Sequence, residues 1–270
     1  MRGLLALTAH SVRRSRALVV GMAVVFGGFQ VLAALMASTF DESQLFARLA
    51  ALVPEPVRQA LGSSFLTMMS FAGIVVLGYV HFAVIGSLVA VSIALGTEPA
   101  AEIERGFSDL LLSRPISRAE AVTRSVLVLL AAASLLNLAI LGGTWVGLSL
   151  FAANRGPWPP ARVLVSLAAN LWMLMLCWGG VGLAFGAAAR RRGVAGAAAG
   201  FLAVTLFLLD LVSRVWQPGR RLGPLSPFHY FNPLDVVAGR PLNLAHLAVL
   251  GGVGAAGIAL AYVIYGRRDL

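Results

Sequence analysis

Six long stretches that are almost free of charge limit what this chain can fold into. The first, residues 17–38, runs for 22 residues without a charged side chain, and a helix of about 20 apolar residues is long enough to cross a bilayer. Because similar stretches recur along the chain, we predict an all-α integral membrane protein with six transmembrane helices. The predicted spans are residues 17–38, 65–95, 122–151, 162–189, 193–215 and 244–266.

The composition agrees with a membrane protein. Hydrophobic residues make up 59% of the chain and charged residues 12%, whereas a soluble domain carries about 25% charged residues. A length of 270 residues suits a single transmembrane domain that covers residues 1–270. Lipid solvates the apolar faces of such a domain, so little polar surface is required.

All 21 basic residues are arginine, and lysine is absent. A P-loop needs a lysine on the nucleotide phosphates, and Schiff-base enzymes need a lysine amine. The chain is therefore not expected to be a self-contained P-loop ATPase, and if it uses ATP through such a site, another subunit must bind the nucleotide. A single cysteine and four histidines without metal-site spacing predict no metal site. Nucleic acid is not an expected partner, because the arginines lie between the spans and not along one polar face.

Arginine is distributed unequally between the two sides of the predicted spans. With the N-terminus placed in the cytoplasm, 13 of the 21 arginines fall on the cytoplasmic side, as the positive-inside rule expects. An even number of spans then places both termini in the cytoplasm. The predicted location is the bacterial cytoplasmic (inner) membrane, as a multi-pass protein.

The most polar stretch, residues 96–121, separates the second and third spans. Pro99 suits the first turn of a helix, and Thr97 is a candidate N-cap. Apolar residues then recur at helical spacing, which predicts a short amphipathic helix over residues 98–113 on the cytoplasmic face. A capping box at residues 117–120 predicts the start of the next helix. The apolar stripe consists of Ile103, Phe107, Leu110 and Leu111.

The run from Glu104 to Arg118, ERGFSDLLLSRPISR, resembles the signature of ABC-2-type transporter permeases. The basic amphipathic residues 1–16 are similar to the N-terminal elbow helix of that family. Residues 54–62 resemble its external helix, and the ending RRDL is a frequent tail there. One difference is Phe107, which stands where the family often has threonine.

This resemblance implies the non-catalytic membrane subunit of an ABC exporter, a chain that binds no cofactor of its own. Residues 98–113 would form a coupling helix that docks on a separate P-loop ATPase, which would bind ATP and magnesium. A second permease subunit, identical or different, would pair with the chain among the membrane lipids. The apolar residues would fill a groove on the ATPase, and the charged residues would contact its rim. The expected coupling residues are Glu102, Glu104, Arg105, Phe107, Asp109, Leu110 and Leu111.

Polar residues inside the spans are costly in lipid, and they suit either a transport path or interhelical hydrogen bonds. Asp210 and Arg214 are four residues apart, so they are expected to pair on one helix face. Such a pair would form an external gate or would simply neutralise two charges. The candidate path or gate residues are His81, Asn137, Asn170, Asp210 and Arg214.

Two other functions remain open at the level of the sequence. An ion-coupled secondary transporter would need buried carboxylates near the bilayer centre and internal repeats. A membrane-embedded lipid enzyme would need a nucleophile with a base, or paired acids. The sequence does not identify the transported substrate.

Overall fold

A computed structural model of the chain describes residues 2–39, 71–106, 117–152 and 158–268. Over these residues the secondary structure is helical, without strands. The α-helices, in chain order, are α1 Arg2–Thr39, α2 Phe71–Val75, α3 Leu77–Val80, α4 Phe82–Gly96, α5 Glu98–Glu104, α6 Arg118–Phe151, α7 Ala161–Ala188, α8 Arg192–Val215, α9 Pro233–Val237 and α10 Leu244–Arg267. Two 3₁₀ helices, Gln217–Leu225 and Pro227–Tyr230, lie between α8 and α9.

Five helices in the described part of the chain are long and apolar enough to cross a membrane. A sixth crossing results if α4 and α5, which meet at a bend of 44°, form one span. The predicted all-helical, multi-pass architecture is therefore confirmed. Helices α1, α6, α7, α8 and α10 correspond to the first, third, fourth, fifth and sixth predicted spans.

The first helix joins two segments that were predicted to be separate. α1 contains 38 residues, which corresponds to about 57 Å at ~1.5 Å per residue. It therefore exceeds the hydrocarbon core of roughly 30 Å, and its basic N-terminal turns extend the first span beyond the lipid tails. The elbow helix expected at residues 1–16 is not a distinct element here. The external helix expected at residues 54–62 lies outside the described residues.

The second predicted span, residues 65–95, is broken in its described part. α2 ends at Val75, and the backbone becomes extended at His81 before α4 begins. The His81 side chain caps α4, because its Nδ1 accepts a hydrogen bond from the Ala83 N–H at 3.3 Å. Three shorter helices thus replace the single long helix that the sequence predicted.

Gln30 of α1 compensates for the first of these breaks. Its side-chain amide donates to the Val75 carbonyl at 3.2 Å, and its side-chain oxygen accepts the Gly78 N–H at 2.8 Å. The same amide donates to the Thr144 hydroxyl of α6 at 2.6 Å. Since lipid cannot hydrogen-bond a free backbone group, this buried side chain replaces helical bonds that the break removes.

Glycine permits the closest helix contacts around α7. A Cβ on Gly257 of α10 would lie 2.5 Å from the Gly180 carbonyl oxygen, and a Cβ on Gly186 would lie 2.6 Å from the Gly96 carbonyl oxygen. Both distances are shorter than real Cβ atoms show. Small residues let helices approach in lipid, where packing drives association. α7 therefore lies between α4 and α10 and forms the centre of the bundle.

The proline-rich segment 216–243 folds back onto the bundle. Its prolines exclude a continuous helix, as predicted, and it forms short helical turns instead. Phe228 inserts into the core, where its ring centroid lies 5.3 Å from Trp178 and 5.4 Å from Phe207. The Ser226 hydroxyl donates to the Leu206 carbonyl at 2.8 Å. This segment caps one end of the helices.

Gly257→Ala tests the packing of α10 on α7. The added methyl would meet the backbone of Gly180, which cannot move alone. We therefore expect overpacking to lower the free energy of unfolding by about 1–3 kcal/mol. The readout is the thermal unfolding midpoint of the purified protein in detergent. Gly252→Ala, on the same helix with nothing within 4 Å of its Cβ position, is the matched control. Equal midpoints for the two variants would contradict the close approach.

Candidate functional site at the basic end of the bundle

Ends of α5, α6, α7, α8 and α10 meet at one end of the bundle. Arg118, which begins α6, donates to the Gly266 carbonyl of α10 at 3.0 Å. Arg268, just after α10, donates to the Ala187 carbonyl of α7 at 2.6 Å. Burial lowers the pKa of Arg268, and the neighbouring Arg190 lowers it further, although an arginine keeps its charge in proteins. We call this region the basic end; its arginines are Arg13, Arg14, Arg16, Arg105, Arg118, Arg124, Arg190, Arg191, Arg192, Arg267 and Arg268.

Helix α5 forms the centre of the basic end. Pro99 occupies its first turn, as predicted, and Glu98 lies where a negative charge favours a helix N-terminus. Thr97 does not cap the helix through its side chain; its hydroxyl donates back to the Ala94 carbonyl at 3.1 Å. The residues of α5 that face the bundle are Pro99, Ala100, Ala101 and Glu102, all buried.

The predicted helix over residues 98–113 ends early. α5 stops at Glu104, and Gly106 has a φ of 65°, a left-handed conformation that favours glycine. A turn at residues 105–106 therefore changes the chain direction. Four of the predicted coupling residues, Phe107, Asp109, Leu110 and Leu111, lie beyond this turn and outside the described residues.

A buried ion pair fixes α5 to α6. A carboxylate oxygen of Glu102 lies 2.5 Å from a guanidinium nitrogen of Arg124, and the two side chains are 3% and 2% exposed. Sequence reasoning placed Glu102 at the surface as a contact for another protein; the structure places its carboxylate inside the chain. Removing one partner of a buried pair typically costs about 3–5 kcal/mol, because the other charge remains uncompensated.

Two further acidic residues connect α5 to α1 and α8. Glu98 lies 2.9 Å from a guanidinium nitrogen of Arg14 and 3.7 Å from one of Arg192. Glu104, which is exposed, accepts the backbone N–H of Arg192 at 2.9 Å. This bond satisfies one of the N–H groups that the first turn of α8 leaves unpaired. These pairs are partly exposed, so they contribute more to positioning than to stability.

Arg124 is a site residue that sequence reasoning missed. Its signal was a charged side chain inside an otherwise apolar span, a pattern that usually marks a paired or functional group. The start of its helix was predicted: Ser117 Oγ accepts the Glu120 N–H at 3.2 Å, and the Glu120 carboxylate accepts the Ser117 N–H at 2.8 Å. The capping box is therefore confirmed.

Three of the predicted path or gate residues lie toward the opposite end of the bundle. Asp210 is 6% exposed and accepts a hydrogen bond from Arg214 Nε at 2.8 Å, as the i,i+4 spacing predicted. Arg214 also donates to the Asn232 side chain at 3.3 Å. Asn170 lines a cavity that Asn232 also lines. The structure thus groups Asn170, Asp210 and Arg214 around the capping segment.

The remaining two candidates lie elsewhere. His81 lies at the break before α4, with its ring stacked on Phe82 at 4.8 Å between centroids. Asn137 of α6 donates to the Ala133 carbonyl at 2.9 Å and to the sulfur of Met175 at 3.5 Å. Within the described residues, neither side chain contacts the group around Asp210.

The sequence of the whole helical chain matches one family model. The model for ABC-2 family transporter proteins covers residues 8–270. The chain belongs to this family. It is therefore a multi-pass membrane permease of an ABC transporter, a type of subunit that is generally non-catalytic and implies an ATPase partner. Comparison with individual curated proteins gives no match. Within the described parts of this permease, no group of three or more histidine, cysteine or acidic side chains could hold a metal ion.

Charge removal at the buried pair tests its role in this permease. Glu102→Gln leaves the buried charge of Arg124 without a partner, and arginine cannot lose that charge by deprotonation. We therefore expect the free energy of unfolding to fall by about 3–5 kcal/mol and the yield of monodisperse protein to be low. The double variant Glu102→Gln/Arg124→Gln removes both charges and should recover most of the yield. Size-exclusion chromatography and thermal unfolding are the measurements. Glu104→Gln makes the same change at an exposed position and should behave as the original protein. A double variant as poor as the single one would contradict the pairing.

Proposed function

We propose that this permease is the membrane-spanning part of an ABC exporter, driven by ATP hydrolysis in separate P-loop ATPase subunits. One observation carries the proposal: the second span ends in a helix, α5, that is fixed inside the bundle and leads directly into the polar segment 105–117. A segment placed there is suited to receive movement from a partner and to pass it to several spans. The absence of lysine supports a separate site for ATP.

The contacts of α5 suggest how such a movement would spread. A displacement of residues 107–116 would reach α5 through the turn at Arg105 and Gly106. From α5 it would pass to α6 through the buried pair with Arg124, to α8 through Arg192, and to α1 through Arg14. Three spans would then respond together, because packed elements move as units and not by continuous deformation.

The docking surface itself is proposed to lie C-terminal to α5. Glu104 and Arg105 are exposed, and they lead into the apolar residues Phe107, Leu110 and Leu111. Glu102 is better suited to positioning α5 than to touching the ATPase, since its carboxylate is buried. Asp109 remains a proposed rim contact.

The orientation of the proposed exporter follows from its arginines. The basic end gathers most of the arginines in the described residues, and the positive-inside rule places such an end in the cytoplasm. Both ends of the described chain, at Arg2 and Arg268, then lie on the cytoplasmic side of the bacterial inner membrane.

The group around Asp210 lies at the far end, where an exporter releases its substrate, so Asn170, Asp210 and Arg214 are proposed as part of the exit. His81 and Asn137 remain candidates for the path within the membrane.

Helix α8 is the proposed contact for a second permease subunit. It is among the least covered of the spans, with 22% of its most apolar window buried. Gly196 and Gly200, spaced as in a GxxxG motif, have no atom within 4 Å of their Cβ positions. Small residues on an uncovered face allow a second helix to approach closely in lipid. The surrounding apolar side chains include Phe201 at 75% and Val204 at 58% exposure.

Leu110→Asp tests the docking role of the polar segment. A charge in an apolar groove loses contact and desolvation energy, so we expect at least tenfold lower transport-linked ATP hydrolysis in the assembled complex. The assay measures ATPase activity and co-purification of the ATPase with the permease in membranes. Ser108→Asp adds the same charge at a polar position of this segment and is the control. Unchanged assembly and unchanged ATPase activity in Leu110→Asp would contradict the proposal that this segment docks on the ATPase.

A cysteine at Gly200 tests the subunit contact. In a Cys177→Ala background, Gly200→Cys has no other thiol in the chain, so a crosslinked dimer requires two copies to meet through α8. We expect oxidation in native membranes to give a dimer band for Gly200→Cys. Leu138→Cys, at a position of α6 that is 63% exposed, should give little crosslinked dimer. Equal crosslinking at both positions would indicate random collision and reject this face for a homodimer.

A further inference from the structure

A cavity of about 180 Å³ opens beside the ion pairs of the basic end. Its walls come from α1, α4, α5, α6 and α8 and from Arg105. The volume exceeds the roughly 150 Å³ of an engineered protein cavity that holds benzene. A small chemical group therefore fits inside, and the lining determines which kind.

Positive charge dominates the polar part of the lining. Four arginines contribute to it, against one carboxylate, that of Glu98. Glu102, which pairs with Arg124, adds a second negative charge nearby. Glu104, which accepts the Arg192 N–H, adds a third. Among the described residues around the cavity, the arginines therefore exceed the acidic side chains by one. The arginines are Arg14, Arg105, Arg124 and Arg192.

Arg124 also leaves a hydrogen-bond donor unused. Its side chain is 2% exposed, and one terminal nitrogen is engaged by Glu102. Its Nε is buried and has no hydrogen-bond partner among the described residues. A buried donor without an acceptor costs free energy, and Arg124 lines this cavity. An anion with several acceptor oxygens would satisfy the donor and balance the excess charge together.

The apolar part of the lining lies one helical turn farther from the basic end. Leu18 follows Arg14 by four residues in α1, and Val128 follows Arg124 by four residues in α6. Leu95 precedes Glu98 by three residues, and its helix runs toward the basic end. The charged layer and the apolar layer are therefore stacked along the helix axes. Leu18 is 42% exposed on the surface of the bundle, so the apolar layer is open to lipid on its α1 side, while Leu95 and Val128 form its buried inner wall.

We propose that this cavity binds the phosphate group of an anionic phospholipid. Phosphate oxygens accept hydrogen bonds from guanidinium groups in a geometry that arginine matches. A soluble phosphate would use only the charged layer, whereas a lipid also buries the start of its acyl chains on Leu18, Leu95 and Val128. The bound lipid would link α1, α5, α6 and α8 at the end of the bundle. This proposal does not depend on ATP coupling or on the transported substrate.

Binding to the delipidated full-length chain in detergent provides the test. Native mass spectrometry would measure the occupancy of phosphatidylglycerol and of phosphatidylcholine, which has the same phosphate but no net charge. We expect clear retention of phosphatidylglycerol and about tenfold weaker retention of phosphatidylcholine. Loss of one charge-assisted hydrogen bond corresponds to roughly tenfold in affinity, so Arg14→Gln should weaken phosphatidylglycerol binding by about that factor.

Two controls separate the site from general surface charge. Arg16→Gln removes one exposed arginine from the same helix outside the cavity lining and should leave binding unchanged. Arg105→Gln changes an exposed turn residue of the lining, so it supplies a second cavity variant if Arg14→Gln gives little folded protein. Equal weakening by Arg14→Gln and Arg16→Gln, or equal retention of the two lipids, would overturn the proposal.

A competition experiment identifies the source of the phosphate. Inorganic phosphate and glycerol 3-phosphate, each added in millimolar excess, should not displace phosphatidylglycerol from the original protein, because they gain nothing from the apolar layer. Displacement by either soluble compound would overturn the lipid assignment and identify a soluble phosphate as the occupant.

Discussion

The lack of water in the hydrocarbon core is the constraint on which this structure depends. Every backbone N–H and carbonyl in that region must find a partner inside the protein. Most helices meet this demand through their own hydrogen bonds. The second span does not, because it leaves the helical path at Val76 and His81. Gln30 provides the missing partners for Val75 and Gly78, so a polar residue on one helix permits a break in another.

The same constraint explains how the helices are joined. Without a hydrophobic driving force between apolar surfaces in lipid, helices associate through close packing and through polar contacts. The centre of the bundle uses packing, with Gly180 and Gly186 of α7 against Gly257 and Gly96. The basic end uses charge, with Glu102 and Arg124 as its buried pair.

These two kinds of contact lie in different parts of the permease, with close packing at the centre and ion pairs at the basic end. Helix α5 belongs to the packed bundle on one side and leads into a polar segment on the other. Its three acidic residues contact three other helices: Glu102 pairs with Arg124 of α6, Glu98 with Arg14 of α1 and Arg192 of α8, and Glu104 with the first turn of α8. Such a helix is well placed to connect a partner below the membrane with several spans at once, as the proposed function requires.

The sequence alone determined the architecture of the protein and its family. Uncharged stretches of about 20 residues or more predict membrane spans on length and polarity alone, since these follow from bilayer thickness. The capping box before α6, the pairing of Asp210 with Arg214 and the breaks in the proline-rich segment were also predictable, because each depends on residues close together in the chain. The run from Glu104 to Arg118 carried the family resemblance that the match over residues 8–270 confirmed.

Only the tertiary structure decided the features that depend on residues far apart. The burial of Glu102 requires Arg124, 22 positions later, and no local pattern distinguishes a buried glutamate from a surface one on a short amphipathic helix. The break in the second span requires Gln30 from another helix, and the cavity requires Arg14, Arg124 and Arg192 from three helices. Helix packing brings these groups together, and the resulting burial sets which charges are paired inside the protein and which remain available to a ligand.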